Sequence, residues 1–291
     1  MLATLGDLVE DLVVRVDDAL NVGSDTEAVI VRRRGGSAAN VASTAARLGH
    51  RARFVGQVGD DPIGVALVAD LSASGVDVSF VRRSGRTGTI AVLVDRAGER
   101  TMLTDRGACA ALADPERTWL DGVSTLHVPM YSLAGGEIAA TASTVIGWAK
   151  AGAIAVSIDM SSVALIDDLG AAAVRSLLDR LAPDVVFANA AEARALDIDA
   201  AVSGAVTIVK RGASPTLLHR PSDRSIEVAV PELDRGIDTT GAGDAFAAGY
   251  LTAAWQDDPV GALDSAHRSA RGHLTDAGRS GGSPGRVGPH G

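Results

Sequence analysis

The sequence predicts an α/β fold, with a mainly parallel central sheet covered by helices on both faces and a small β-strand lid. Three observations carry this. From about residue 123 to 187 apolar strand patterns alternate with helical ones, the order of right-handed βαβ units. Around residues 35–48 and 52–74 glycine-rich loops run directly into helical segments, again as in α/β units. Residues 12–34 and 85–107 instead alternate apolar with charged positions at a period near two, as half-exposed strands do, and these two pieces make the lid.

The elements follow in order. Leu2 to Leu5 is an apolar strand closed by Gly6-Asp7, and Leu12 to Val16 continues as a more exposed one with Asp11 just past the turn. Gly35-Gly36-Ser-Ala-Ala-Asn40 opens a helix over 41–48 that Gly49 ends. Asn40 either caps that helix or reaches a ligand hydroxyl with its amide. A strand over 52–58 precedes Gly59-Asp60-Asp61-Pro62 and a helix to about Ser74, with Pro62 suited to the first turn. Thr87 to Val94 and Glu99 to Thr104 flank Asp95-Arg-Ala-Gly98 as a hairpin. Strands near 123–128, 153–158 and 184–187 then alternate with helices over 137–151 and 168–181. Asp159 and Asn189 end two of these strands, and Glu192 opens the next helix, so three polar side chains share the carboxyl rim where such sheets bind ligands. Asn189 and Glu192 also read as an ordinary cap with a first-turn acid. Strands near 205–209, 215–219 and 225–229 follow, with Lys210-Arg211-Gly212 after the first.

Asp238-Thr-Thr-Gly-Ala-Gly-Asp244 then leads into an apolar helix reaching about Trp255. A glycine turn at a helix start offers unpaired N–H groups and the positive end of the helix dipole, an anion cradle at Gly241, Ala242 and Gly243. A carboxylate beside an anion pocket packs badly but serves well as a general base, the role expected of Asp244. An N-capped helix after a glycine turn is the plainer alternative. A last helical segment, His267 to His273, gives way to Gly, Ser, Pro and Arg, and residues 285–291 are expected to form a disordered tail.

Composition narrows the function. Of 291 residues 46% are hydrophobic but only 3% aromatic, a globular composition packed with small aliphatics. A net charge of −9 with scattered basic residues argues against nucleic acid as a partner and for small metabolites handled with a cation. Cys109, the single cysteine, excludes an intrachain disulfide and a thiolate metal cluster, and points to a reducing, cytoplasmic setting. The N-terminus reads as a first strand with no basic leader, and no run nears the roughly 18 apolar residues of a membrane helix.

Two signatures together, Gly35-Gly-Ser-Ala-Ala-Asn40 with Gly56-Gln-Val-Gly-Asp-Asp-Pro-Ile-Gly64, and Asp238-Thr-Thr-Gly-Ala-Gly-Asp244, resemble the PfkB/ribokinase family of carbohydrate kinases from Leu2 to about Pro284. The resemblance implies a ribokinase-like three-layer sandwich forming one domain over 1–284. It further implies phosphoryl transfer from ATP to a sugar hydroxyl, with Asp244 as base and the Gly241–Gly243 backbone as anion hole. Asp11, Gly35, Gly36 and Asn40 match sugar-holding positions, and Tyr131 falls where a sugar-facing acid stands in ribokinases, either to stack on a sugar or base or to pack. Asn189, Lys210, Gly212 and Thr239 match the nucleotide site, although Lys210 also reads as a rim charge. Glu192 matches a magnesium-linked acid acting through water. Asp238 and Thr240 match a monovalent-cation site, which brings in potassium.

The same resemblance leaves the acceptor open between a sugar and a nucleoside, with a sugar-binding regulatory protein as a third reading, and it implies a homodimer through the lid. Val9 and Ser37 depart from an Asn and a Lys of ribokinases. His267, Arg268, Arg271, His273, Arg279 and Gly282 depart near the adenine and cation positions.

Overall fold

The structure, a computed structural model, describes residues 1–16, 19–221, 225–231 and 240–280. The chain runs β1 (Leu2–Leu5), β2 (Val9–Arg15), β3 (Val29–Gly35), α1 (Ser37–Arg47), β4 (Ala52–Val58), α2 (Pro62–Ala73), β5 (Asp77–Arg83), β6 (Thr87–Val94) and β7 (Arg100–Gly107). It continues with β8 (Thr125–Pro129), α3 (Gly136–Ala151), β9 (Ala155–Asp159), α4 (Val163–Leu169), α5 (Ala171–Leu181), β10 (Val185–Asn189), α6 (Ala190–Ala195) and β11 (Val206–Lys210). The last elements are β12 (Thr216–His219), β13 (Ile226–Val228), α7 (Ala242–Leu251) and α8 (Gly261–Ser280).

Among the described residues the large sheet has the order β13-β12-β11-β10-β9-β8-β1-β4-β5, parallel except at β11-β12-β13. Strands such as β4, buried along its whole length, carry the apolar runs that a sheet covered on both faces requires. One face packs on α1, α2, α7 and α8 around Phe54, Phe187, Phe246 and Tyr250. The other packs on α3, α5 and α6 around Trp119, Leu126, Ile146 and Leu178. The fold is therefore a ribokinase-like three-layer α/β sandwich. A smaller sheet, β3-β2-β6-β7, stands beside it. Strand order reverses at β1, with β8 on one side and β4 on the other, and this places a crevice beyond the carboxyl ends of the central strands.

Several boundaries differ from the sequence expectation for identifiable reasons. Strand β5 was not anticipated, because an edge strand with Arg82 and Arg83 lacks the apolar run that marks a central one. The helix expected over 168–181 is two helices, broken where Gly170 takes φ +82°. Helix α7 stops at Leu251, short of Trp255, whereas α8 spans 20 residues and includes all of His267 to His273. Helix α2 starts as expected, with Pro62 in its first turn and the Asp61 side chain accepting from the Gly64 N–H at 2.8 Å. Residues 285–291 lie outside the described residues.

The smaller sheet joins the main body through Gly35-Gly36. Gly36 has φ +101°, and a Cβ there would lie 2.1 Å from the Asp7 carbonyl oxygen. Gly36→Ala is therefore expected to lower the unfolding free energy by about 1–3 kcal/mol from the backbone conformation alone, measured by denaturant titration. An unchanged midpoint would contradict this reading of the turn.

Candidate active site

The site is built where α1 and α7 begin. Gly241, with φ +77°, precedes α7, and among the described residues no side chain caps the helix, so none of them gives the first-turn N–H groups of Ala242 and Gly243 a capping oxygen. A Cβ on Gly241 would lie 2.9 Å from His273 Nε2, and that same nitrogen is 2.7 Å from the Thr240 carbonyl oxygen. The glycine turn is thus braced from α8. Asp238 and Thr239 lie outside the described residues.

Asp244 projects from the first turn of α7 toward α1. Ser37 Oγ donates to its Oδ1 at 2.6 Å and Asn40 Nδ2 donates to its Oδ2 at 3.0 Å. Asn40 also accepts from Arg34 Nη1 at 3.3 Å, so its amide joins two elements and does not cap α1. Burial pushes the Asp244 carboxyl above the usual carboxylate range; the Ser37 and Asn40 hydrogen bonds pull it back, Asp159 pushes it up and Lys210 pulls it down.

Asp11, on β2, turns to the same space. Its Oδ1 is buried with no hydrogen-bond partner, and a Cβ on Gly35 would lie 2.1 Å from that oxygen, so only glycine leaves the carboxyl its place. Burial raises Asp11 to about 6, with Arg33 and Arg34 opposing the shift and Asp244 adding to it. Tyr131 lies half-buried in the turn Met130–Leu133 after β8. Nearby, Arg106 donates Nε and Nη2 to Asp7 at 2.8 Å each.

A second cluster forms at the ends of β9, β10 and β11. Lys210 Nζ meets Asp159 Oδ2 at 2.7 Å, and the two side chains are 17% and 10% exposed, so Lys210 is not a rim charge. Asn189 and Glu192 do form a capping box: the Asn189 N–H and Nδ2 donate to the two Glu192 carboxylate oxygens at 2.7 and 2.6 Å, while Asn189 Oδ1 accepts from the Ala191 and Glu192 N–H groups. Burial, then the Asp159 charge, raises Glu192 to about 7, against the Asn189 hydrogen bond and Lys210. Burial disfavours the Lys210 charge, yet Asp159, Glu192 and Asp244 outweigh it and hold its pKa above the ordinary lysine value. Gly212 is exposed at φ +63° on the adjoining loop.

Ser37 is a contact of Asp244 that the sequence did not single out as a site residue, whereas Asp159, read from the sequence as one of three polar side chains on the carboxyl rim, is the partner of Lys210. Ser37 reads locally as a helix-start serine, and only the fold brings it to Asp244, 207 residues away. His267 is drawn into packing, with Nε2 3.0 Å from Thr216 Oγ1 and its ring edge-on to Phe246. Among the described residues there is no group of three or more His, Cys, Asp or Glu that could hold a metal ion. No described helix is long and apolar enough to cross a membrane.

Residues 1–283 match the family described as pfkB family carbohydrate kinase. The chain belongs to the pfkB family. An ATP-dependent ribose-1-phosphate kinase of Halopiger xanaduensis is 35% identical, the alignment covering 93% of this chain and 90% of that protein. A Pyrococcus horikoshii sugar kinase solved in complex with ATP superposes with a TM-score of 0.80 at 24% identity, covering 93% and 91% of the two chains. An adenosine kinase from Sinorhizobium meliloti does so with 0.78 at 24% identity, covering 93% and 91%. As a pfkB protein the chain is a carbohydrate kinase, a phosphotransferase with an alcohol group as acceptor.

The Asp11 carboxyl gives a test of this geometry. Its folded value of about 6 exceeds the ordinary 3.8, so between these values the folded state binds more protons than the unfolded state and stability falls as pH rises. Asp11→Asn removes that contribution and should flatten the fall between pH 3.8 and about 6 in chemical denaturation. Equal slopes in both proteins would show that the carboxyl is not desolvated.

Proposed function

We propose that the chain is an ATP-dependent sugar kinase in which Asp244 takes the proton of a substrate hydroxyl. The observation that carries this is the Asp244 carboxylate, fixed by Ser37 and Asn40 in the first turn of α7. The hydroxyl oxygen attacks the γ-phosphorus, the bond from phosphorus to the β,γ-bridging oxygen breaks, and ADP leaves. The N–H groups of Gly241, Ala242 and Gly243 supply fixed donors for charge on the transferred phosphoryl group. Asn189, Lys210, Gly212 and Thr239 flank the nucleotide, with Lys210 oriented by Asp159. A magnesium ion held through water near Glu192 would neutralise phosphate charge. Asp238 and Thr240 remain the expected potassium site, and the His273 contact to the Thr240 carbonyl competes for one of its oxygens.

On the acceptor side, Asp11, Gly35, Gly36 and Asn40 hold sugar hydroxyls, with Tyr131 as a further substrate contact. Similarity to a ribose-1-phosphate kinase supports a phosphorylated pentose as the first candidate. Arg33 adds to this, because the β2–β3 register places it opposite Asp11 on the same face of the smaller sheet, a suitable guanidinium for an anionic substituent. A nucleoside is the second reading, favoured by Tyr131 as a stacking surface. The smaller sheet acts as a lid over this side. Its edge strands β3 and β7 expose Val29, Ile30, Met102 and Leu103, each more than half exposed, which fits a homodimer formed through the lid.

ADP release measured over pentoses, pentose phosphates, hexoses and nucleosides should find one class turned over. Asp244→Asn should lower kcat on that substrate by about 10²–10⁴-fold. The wild-type kcat/KM should climb with pH on an acidic limb set by the upshifted Asp244, and the variant should lose that limb. Wild-type turnover by Asp244→Asn would sink the base assignment; tight binding of one sugar with no turnover of any class would favour a regulatory protein.

On the acceptor side, hydrogen exchange should report closure. Amides of β2, β3, β6 and β7 are expected to gain protection when the acceptor binds, and unchanged exchange there would remove the lid.

A further inference from the structure

A second cleft lies between the C-terminal end of α1 and the paired helices α7 and α8, with a volume of about 480 Å³. Arg47 and His50 line it from α1 and the turn after it, Arg268, Ser269 and His273 line it from α8, and no carboxylate does. It is separate from the site above. Ser265, Arg268, Ser269 and Gly272 recur at three- and four-residue spacing and form one face of α8. His267 and Leu274, buried toward the sheet side, fall on the opposite face.

The two arginines, like several others of this chain, carry no carboxylate partner among the described residues, but these two line the same cleft. Arg32, Arg34, Arg53, Arg82, Arg86, Arg106 and Arg211 each meet a carboxylate. Arg47 Nη2 instead meets only Thr44 Oγ1 of its own helix at 3.0 Å, and Arg268 Nη2 only Ser265 Oγ at 2.9 Å, with no carboxylate partner among the described residues. Between them Ser269, 8% exposed, carries a buried hydroxyl with no hydrogen-bond partner. Two guanidinium forks and an unused hydroxyl around an open cleft are the donor set that phosphate oxygens satisfy. The volume exceeds what bare phosphate needs and falls within the range of small-molecule sites.

The geometry points to a binding site for a small phosphate monoester in the α1–α7–α8 cleft, which acts on the kinase centre through His273. His273 lines the cleft, and its Nε2 meets the Thr240 carbonyl that precedes the Gly241 turn. A ligand that draws the imidazole toward the cleft loosens that brace and changes the aim of the first-turn N–H groups of α7, so occupancy of one site alters phosphoryl transfer at the other.

Amide chemical shifts followed by NMR during titration with inorganic phosphate, a pentose 5-phosphate and a nucleoside monophosphate test this. At least one should shift the amides of Ala253 and Ser265 to Gly272, and the three arms separate free phosphate from an ester recognised by its organic part. The exposed double substitution Arg47→Ala/Arg268→Ala should weaken that binding at least about tenfold. Ser269→Leu, which fills the cleft and keeps both arginines, should abolish it. Shifts confined to Gly241–Asp244, or an affinity unchanged in the double variant, would place the phosphate in the kinase centre and overturn the proposal. No response in the cleft to any of the three would overturn it as well.

Discussion

Everything in the site depends on the Asp244 carboxylate lying between the first turns of α1 and α7. A half-buried carboxylate needs compensation, and here it receives two side-chain donors, Ser37 Oγ and Asn40 Nδ2, together with the positive ends of two helix dipoles. The same contact joins the two parts of the fold. Helix α1 follows directly on β3 of the smaller sheet, so Asn40 carries the position of that sheet to α7, and Arg34 at the end of β3 is bonded to Asn40 in turn. Substitution at any of these side chains therefore perturbs both the Asp244 carboxylate and the junction between the sheets.

The Asp159–Lys210–Glu192 cluster works against and with that carboxylate across the sheet rim. Asp159 raises Asp244 and Glu192, and Lys210 lowers both, while Asp244 helps to keep Lys210 charged. Neither cluster has a charge state of its own. Under the proposed reading, a nucleotide phosphate approaching Lys210 would shift the balance at Asp244 through the same field, linking donor binding to the basicity of Asp244.

Much of this was legible in the sequence because it rests on local rules. The alternation of strand and helix periods marked the parallel sheet; the double glycine at 35–36 and the turn at 241–243 marked the two helix starts; the half-polar alternation marked the smaller sheet. Edge strand β5 stayed hidden because solvated strands lose the apolar run, and the break at Gly170 because a lone glycine is tolerated in many helices. The residues that complete the site were the least visible. Ser37 looks like any helix-start serine until the chain closes and brings it to Asp244, and Lys210, matched to the nucleotide site yet also readable as a rim charge, finds its partner Asp159 only in the fold. Such partners are set by contacts more than 50 residues apart, which periodicity and turn chemistry do not encode.

The chemistry of the two ends of the crevice gives the proposed reading its direction. At the end formed by β2 and α1, Asp11 has a buried oxygen without a donor, an acceptor complementary to a hydroxyl group. At the end formed by α7 and β11 stand first-turn N–H groups that no described side chain caps and a Lys210 ammonium paired with Asp159, donors complementary to phosphate oxygens. An alcohol and a phosphoryl group satisfy these two ends at once, and the bond they would form lies over the first turn of α7. A protein that only bound a sugar would gain from the first end and would have no use for the second.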